Sequence, residues 1–196
     1  GLISIIGLLQ FLSVISMFDL IIYSIIGVIF ATVGLVSSFF HLANKKNAIK
    51  SLSQWQTSWL SREAIASIFC LLVVFGNIIW AVSQNNYISE VGVVLFFLSL
   101  FTIFTTSMIY AQLKTVPSWN NALTPAIFVV AALTGGAILL TDYASLVLLL
   151  VFGTLQISFW YITDRGFQDK ETSVGTALGY NKNEEIRPFD VAHTNR

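Results

Sequence analysis

Charge is what this chain lacks most. Ten acidic and ten basic residues make up only 10% of its 196 positions. A soluble domain carries about a quarter charged residues to solvate its surface, so a water-soluble globule is excluded. Cysteine is almost missing as well. Cys70 stands alone, which excludes a disulfide framework, a cysteine-held iron–sulfur cluster and a cysteine-rich zinc site. The start of the chain shows neither a basic n-region nor a small-residue cleavage site, so no signal peptide is read. Gly1 lies inside an apolar run with no initiator Met, which leads us to expect a fragment or a processed form. What the sequence does have is hydrocarbon. Hydrophobic residues are 56% of it, the mean hydropathy is +0.79, and they fall in runs for which lipid is the fitting solvent.

These runs predict an all-α integral membrane protein, a bundle of about six transmembrane helices with no internal repeat. A helix needs roughly 20 apolar residues to cross about 30 Å of hydrocarbon. Asp19 is the only charge before Lys45, and that stretch is too long for one crossing. We read helices over about 2–17, 20–42, 63–83, 91–112, 124–141 and 144–163, with the first turn at Phe18-Asp19. Pro125 suits the first turn of the fifth helix. Beyond Thr163 the character becomes polar, and residues 164–196 are expected to form an extramembrane loop or tail.

The bases are distributed unevenly. With this helix count, the 43–62 loop, the 113–123 loop and the tail share one face and hold all ten Lys and Arg residues. The opposite face has Asp19, Glu90 and Asp142 and no base. By the positive-inside rule the basic face is cytoplasmic.

Ionisable groups at the hydrocarbon edge are functional candidates by default. Two combine that place with useful proton chemistry: His41, closing the second helix, and Glu63, opening the third. Both lie on the basic face and bracket one loop. Gly34, Ser37 and Ser38 lie one turn deeper than His41 and leave room for a ring. Glu63, Ser67, Cys70, Val74 and Asn77 follow at spacings of four, three, four and three, a single stripe facing the bundle. A neutral imidazole or a partly desolvated carboxylate can accept a hydroxyl proton. Two such groups beside a membrane-level pocket suit oxidation of a lipid-soluble hydroquinone. Spacing leaves plainer readings open. His41 also fits an interfacial histidine bonding a carbonyl. Glu63 also fits a helix N-terminal acid or a partner of Arg62. Trp55, Trp59, Trp119 and Trp160 fit an interfacial belt, Cys70 fits packing, and Gly135-Gly136 fits close helix contact.

Three ordered stretches carry a resemblance. Ser38-Phe-Phe-His41-Leu42, followed by Ser58-Trp-Leu-Ser-Arg62-Glu63, resembles the S-x-x-H-L helix end and Ser-Trp-Leu-Ser-Arg-Glu helix start of the membrane anchor subunit of dimethyl sulfoxide reductase. Tyr110 to Pro125 is similar to that family's Y-x-x-x-x-T-V-P-x-W…T-P loop. Arg187-Pro188 with His193-Thr-Asn195 resembles its R-P…H-T-x-N segment. One departure is plain: the family's G-x-P-x-R-A after H-L reads Ala43-Asn-Lys45-Lys46-Asn47-Ala48 here, without the Pro and the Arg.

The resemblance implies a multi-pass subunit of the bacterial cytoplasmic membrane, usually of about eight helices, so that the last two would be missing here. It implies menaquinol as bound substrate, with His41 and Glu63 at the quinol site; from their helix positions we place Ser38 and Ser67 beside them as further quinol-binding residues. It also implies an iron–sulfur electron-transfer subunit and a molybdopterin catalytic subunit as partners in anaerobic respiration. Lys45, Lys46, Lys50, Arg62, Lys114 and Trp119 would then form the docking face. No haem is expected, because a membrane b-type haem commonly uses paired histidines and only His41 lies near the bilayer. No metal, iron–sulfur cluster or nucleic-acid partner is expected in this chain either. The rival reading is a small polytopic transporter or a structural membrane protein. Transporters tend towards broken helices and midplane ions, whereas the midplane here offers little beyond Gln10 and Asn77.

Overall fold

A computed structural model describes residues 1–40, 53–116, 118–140 and 144–169. The described chain is all helix and connection: α1 (Leu2–Phe11), α2 (Met17–Phe40), α3 (Trp59–Gln84), α4 (Ser89–Ala111), α5 (Thr124–Leu139) and α6 (Ala144–Asp169). No strand occurs among the described residues. Four helices are long and apolar enough to cross a membrane, over Met17–Ser38, Trp59–Gln84, Ser89–Ala111 and Ser145–Arg165. The chain is therefore an all-α, multi-pass membrane protein. The expected six helices are present among the described residues, and the other two, α1 and α5, are apolar but shorter, at 10 and 16 residues. At 1.5 Å per residue they reach about 15 and 24 Å, short of the hydrocarbon thickness.

Local chemistry explains where helices begin and end. The first break falls at Leu12–Ser16 rather than at Phe18-Asp19. Ser13 adopts a left-handed conformation (φ 55°), and the Val14 N–H donates to the Leu9 carbonyl, closing α1. Ser16 then opens α2. Its hydroxyl accepts from the Asp19 N–H at 3.1 Å and donates to the Asp19 carboxylate at 2.7 Å, so the acid joins the first turn instead of breaking the helix. Similarly, Ser58 caps α3 by accepting from the Ser61 N–H, starting that helix at Trp59 rather than Glu63. Asn85 ends it in the left-handed region at φ 48°, a conformation Asn tolerates. At the other end of the chain, α6 runs on to Asp169 instead of stopping at Thr163.

The α3–α4 hairpin is the centre of the bundle, and α1 packs along it. Small residues permit the approach. A Cβ on Gly7 would come within 2.7 Å of the Gly92 carbonyl oxygen, and one on Gly92 would collide with the Gly7 carbonyl oxygen. With no hydrophobic force between helices in lipid, such close backbone contact supplies the dispersion energy of association. Gly136 of α5 serves the same purpose against the start of α1, while its neighbour Gly135 faces open space. Polar pairs then fix the register. Gln10 and Asn77 exchange side-chain hydrogen bonds of 3.1 and 2.9 Å, and Gln10 also donates to the Ile88 carbonyl at 2.8 Å. Ser99 donates to Ser4 at 2.7 Å. Thr134 on α5 reaches the Leu148 carbonyl at 3.2 Å, tying α6 to α5. No residue in the membrane-length window of α6 is buried, so α6 forms an edge of the bundle.

These contacts orient every element. The Gln10–Asn77–Ile88 cluster and the Tyr87 hydroxyl bond to the Ile15 carbonyl gather the ends of α1 and α3 with the starts of α2 and α4. The opposite end collects the end of α2, the start of α3, the α4–α5 loop and the end of α6. Among the described residues all three bases, Arg62, Lys114 and Arg165, lie at that second end, and Asp19 and Glu90 lie at the first.

Candidate functional site

Because α3 begins at Trp59, Glu63 stands in its second turn rather than at its first position, one turn inside the membrane-length helix. There is no acid in the first turn of α3. The stripe expected from spacing is real: Ser67, Cys70, Val74 and Asn77 are all buried, and Glu63, half-buried, heads it. Its carboxylate accepts a 2.7 Å hydrogen bond from the Thr106 hydroxyl of α4. Thr106 was not foreseen. Its neighbours Thr102, Thr105 and Ser107 form a hydroxyl run that was visible in the sequence, but each of the three donates to a carbonyl of its own helix.

Arg62 points elsewhere, so the reading of Glu63 as its ion-pair partner fails. The guanidinium donates to the Trp55 carbonyl at 2.8 Å and the Gln56 carbonyl at 2.6 Å, and it lies 4.3 Å from the centre of the Trp59 ring. Below it opens a cavity of about 500 Å³. Ile65, Ala66 and Phe69 of α3 and Leu98, Phe101 and Phe104 of α4 form its walls, and Trp55, Trp59 and Arg62 line its end at the basic face. Trp59 packs edge-on against Phe104 with centroids 6.0 Å apart. Two of the tryptophans expected in an interfacial belt therefore wall a cavity. The cavity lies between α3 and α4.

The remaining expected residues are dispersed. His41, Lys45, Lys46 and Lys50 lie outside the described residues. Ser38 is exposed on the last turn of α2, while Ser67 is buried on α3. Lys114 is exposed in the α4–α5 loop. Trp119 in the same loop meets Tyr110 edge-on at 5.2 Å, and Tyr110 in turn stacks near Phe128. Asn120 donates to the Ala111 carbonyl, and Thr124 donates to the Trp119 carbonyl. That loop is thus braced at both ends. No group of three His, Cys, Asp or Glu residues that could hold a metal occurs among the described residues.

Known proteins sharpen this picture. Residues 6–164 match the family of the DMSO reductase anchor subunit (DmsC). The chain is also similar to a subunit of the sulfite dehydrogenase of Allochromatium vinosum, with 29% identity over 135 residues, 62% of this chain and 42% of that protein. It thus spans about two fifths of the length of this curated relative. No solved structure matches. Glu63 and its Thr106 partner both fall within the matched segment. The chain belongs to the DMSO reductase anchor subunit family, and its helices are those of a multi-pass membrane protein.

Proposed function

We propose that this chain is the quinol-oxidising anchor of a molybdopterin and iron–sulfur oxidoreductase of the bacterial cytoplasmic membrane. The observation that supports it best is Glu63: a carboxylate held inside the helix seam by Thr106, one turn from the basic face. Oxidising menaquinol releases two electrons and two protons. Glu63 and His41 would accept the hydroxyl protons and hand them to water at the basic face. The electrons would pass to an iron–sulfur subunit docked over Lys45, Lys46, Lys50, Lys114 and Trp119, and on to a molybdopterin subunit that selects the terminal acceptor. Ser38 and Ser67 would contribute hydrogen bonds near the ring.

The assembled complex offers the test. Glu63→Gln and His41→Ala should each lower quinol-driven electron transfer by roughly a hundredfold, the smaller end of what a positioned proton acceptor contributes, and should weaken quinone-analogue inhibitors. Undiminished rates in both variants, with the complex intact, would sink the assignment.

A second reading follows from the sulfite dehydrogenase relative. A partner that oxidises its substrate would deliver electrons to the membrane, and the same two residues would then donate protons to a quinone. Direction of flow separates the two: the first predicts reoxidation of added quinol, and the second predicts reduction of added quinone driven by the catalytic partner's own substrate. The residues that the transporter reading would have used, Gln10 and Asn77, bond each other near the end of the bundle away from the bases.

A further inference from the structure

The cavity between α3 and α4 has a chemical character distinct from that of Glu63. Its walls are apolar, and among the described residues the only polar side-chain atoms along its lining belong to Trp55, Trp59 and Arg62. Indole and guanidinium groups donate hydrogen bonds and accept none. A hydroquinone, which must donate two hydroxyl protons, finds no side-chain acceptor there. A phosphate diester, which only accepts, finds donors and a positive charge.

That charge is unneutralised by its described partners. The Trp55 and Gln56 carbonyls and the Trp59 ring are all neutral. Glu63, next in sequence, gives its carboxylate to Thr106 instead. Arg62 also sits in the opening turns of α3, where the macrodipole disfavours a cation and favours an anion, and the first turn holds no acid. Below the guanidinium the cavity follows α3 from Trp59 to Phe69, about 15 Å of depth at 1.5 Å per residue. Charge lies at the membrane surface and hydrocarbon below it, the order found in a lipid.

We propose that this cavity is a binding site for an anionic phospholipid, with one acyl chain between α3 and α4 and the phosphate against Arg62. The site is separate from the proposed quinol site, which lies on the inner side of the same helix seam.

Brominated acyl chains quench nearby indoles, and Trp55 and Trp59 report from inside the cavity. The full chain, carrying Trp80→Phe, Trp119→Phe and Trp160→Phe, would be placed in phosphatidylcholine vesicles. Brominated phosphatidylglycerol or brominated phosphatidylcholine is then added in steps. Half-quenching should need about fivefold less of the anionic lipid, the effect of roughly 1 kcal/mol per basic residue at an anionic lipid. Arg62→Gln should abolish that preference. Ala66→Phe, which leaves Arg62 in place, should fill the cavity and reduce quenching by both lipids, and it decides the matter if Arg62→Gln does not insert. Equal quenching by the two lipids in the unaltered site would overturn the proposal. So would a preference that survives Arg62→Gln, unchanged quenching in Ala66→Phe, or relief of quenching by menaquinone at equal mole ratio, which would give the cavity to an isoprenoid chain.

Discussion

Thr106 has one hydroxyl proton and two acceptors within reach, the Glu63 carboxylate at 2.7 Å and the Thr102 carbonyl at 3.0 Å. When Glu63 is charged, the proton can point to the carboxylate. When Glu63 is neutral, its own O–H can donate to Thr106 while Thr106 turns to Thr102. Neither protonation state then leaves a buried donor without an acceptor, which would cost about 1–3 kcal/mol. If Glu63 takes protons from quinol, Thr106→Val should slow turnover roughly tenfold, since a hydrogen bond to a charged group contributes at least about 1.5 kcal/mol. Thr106→Ser should restore it. Equal rates in the valine and serine variants would show that the hydroxyl has no such role. Glu63 was legible from sequence, because an acid at the hydrocarbon edge stands out. Thr106 was not. Threonines in apolar helices often bond their own helix, as Thr102 does to Leu98, and nothing local marks one that also bonds a carboxylate 43 residues away.

Hydrophobic length and the polar breaks between runs were enough to place the helices in order, and the termini that moved did so for reasons of capping. Asp19 looked like an interruption, yet Ser16 recruits it into the first turn of α2. Glu63 looked like the start of a helix that Ser58 had already begun. How the helices pair was less legible, since α1 packs on α4 through single glycines. That packing makes a prediction. Ser4 and Ser99 are in hydrogen-bond contact, so Ser4→Cys with Ser99→Cys should form a disulfide under mild oxidation. Adding Gly92→Val should prevent it by pushing α1 off α4. A crosslink that persists would place α1 elsewhere. The amide pair gives a second element-scale test. Asn77→Leu should destabilise the bundle by about 1–2 kcal/mol, read from unfolding in mixed micelles. A change below the error of that titration would count against the pair.

The antiparallel arrangement gives the described helices two distinct ends, and the described bases Arg62, Lys114 and Arg165 gather at one of them. Lys114 and Asn86 lie at opposite ends of the bundle, both exposed. With Cys70 buried, Lys114→Cys and Asn86→Cys should react with a membrane-impermeant maleimide from opposite sides of sealed vesicles. Labelling of both from one side would break the arrangement. The Gln10 cluster bears on a different matter, the order in which the molecule is made. Asn77 and Ile88 follow Gln10 by 67 and 78 residues. At a translation rate of about 5–20 residues per second, its partners emerge roughly 3 to 16 s after Gln10 does. Until then its amide lacks the bonds it makes in the finished bundle, and hydrocarbon is a costly place to wait. Docking of α1 through this cluster therefore has to wait for the α3–α4 hairpin that supplies its partners.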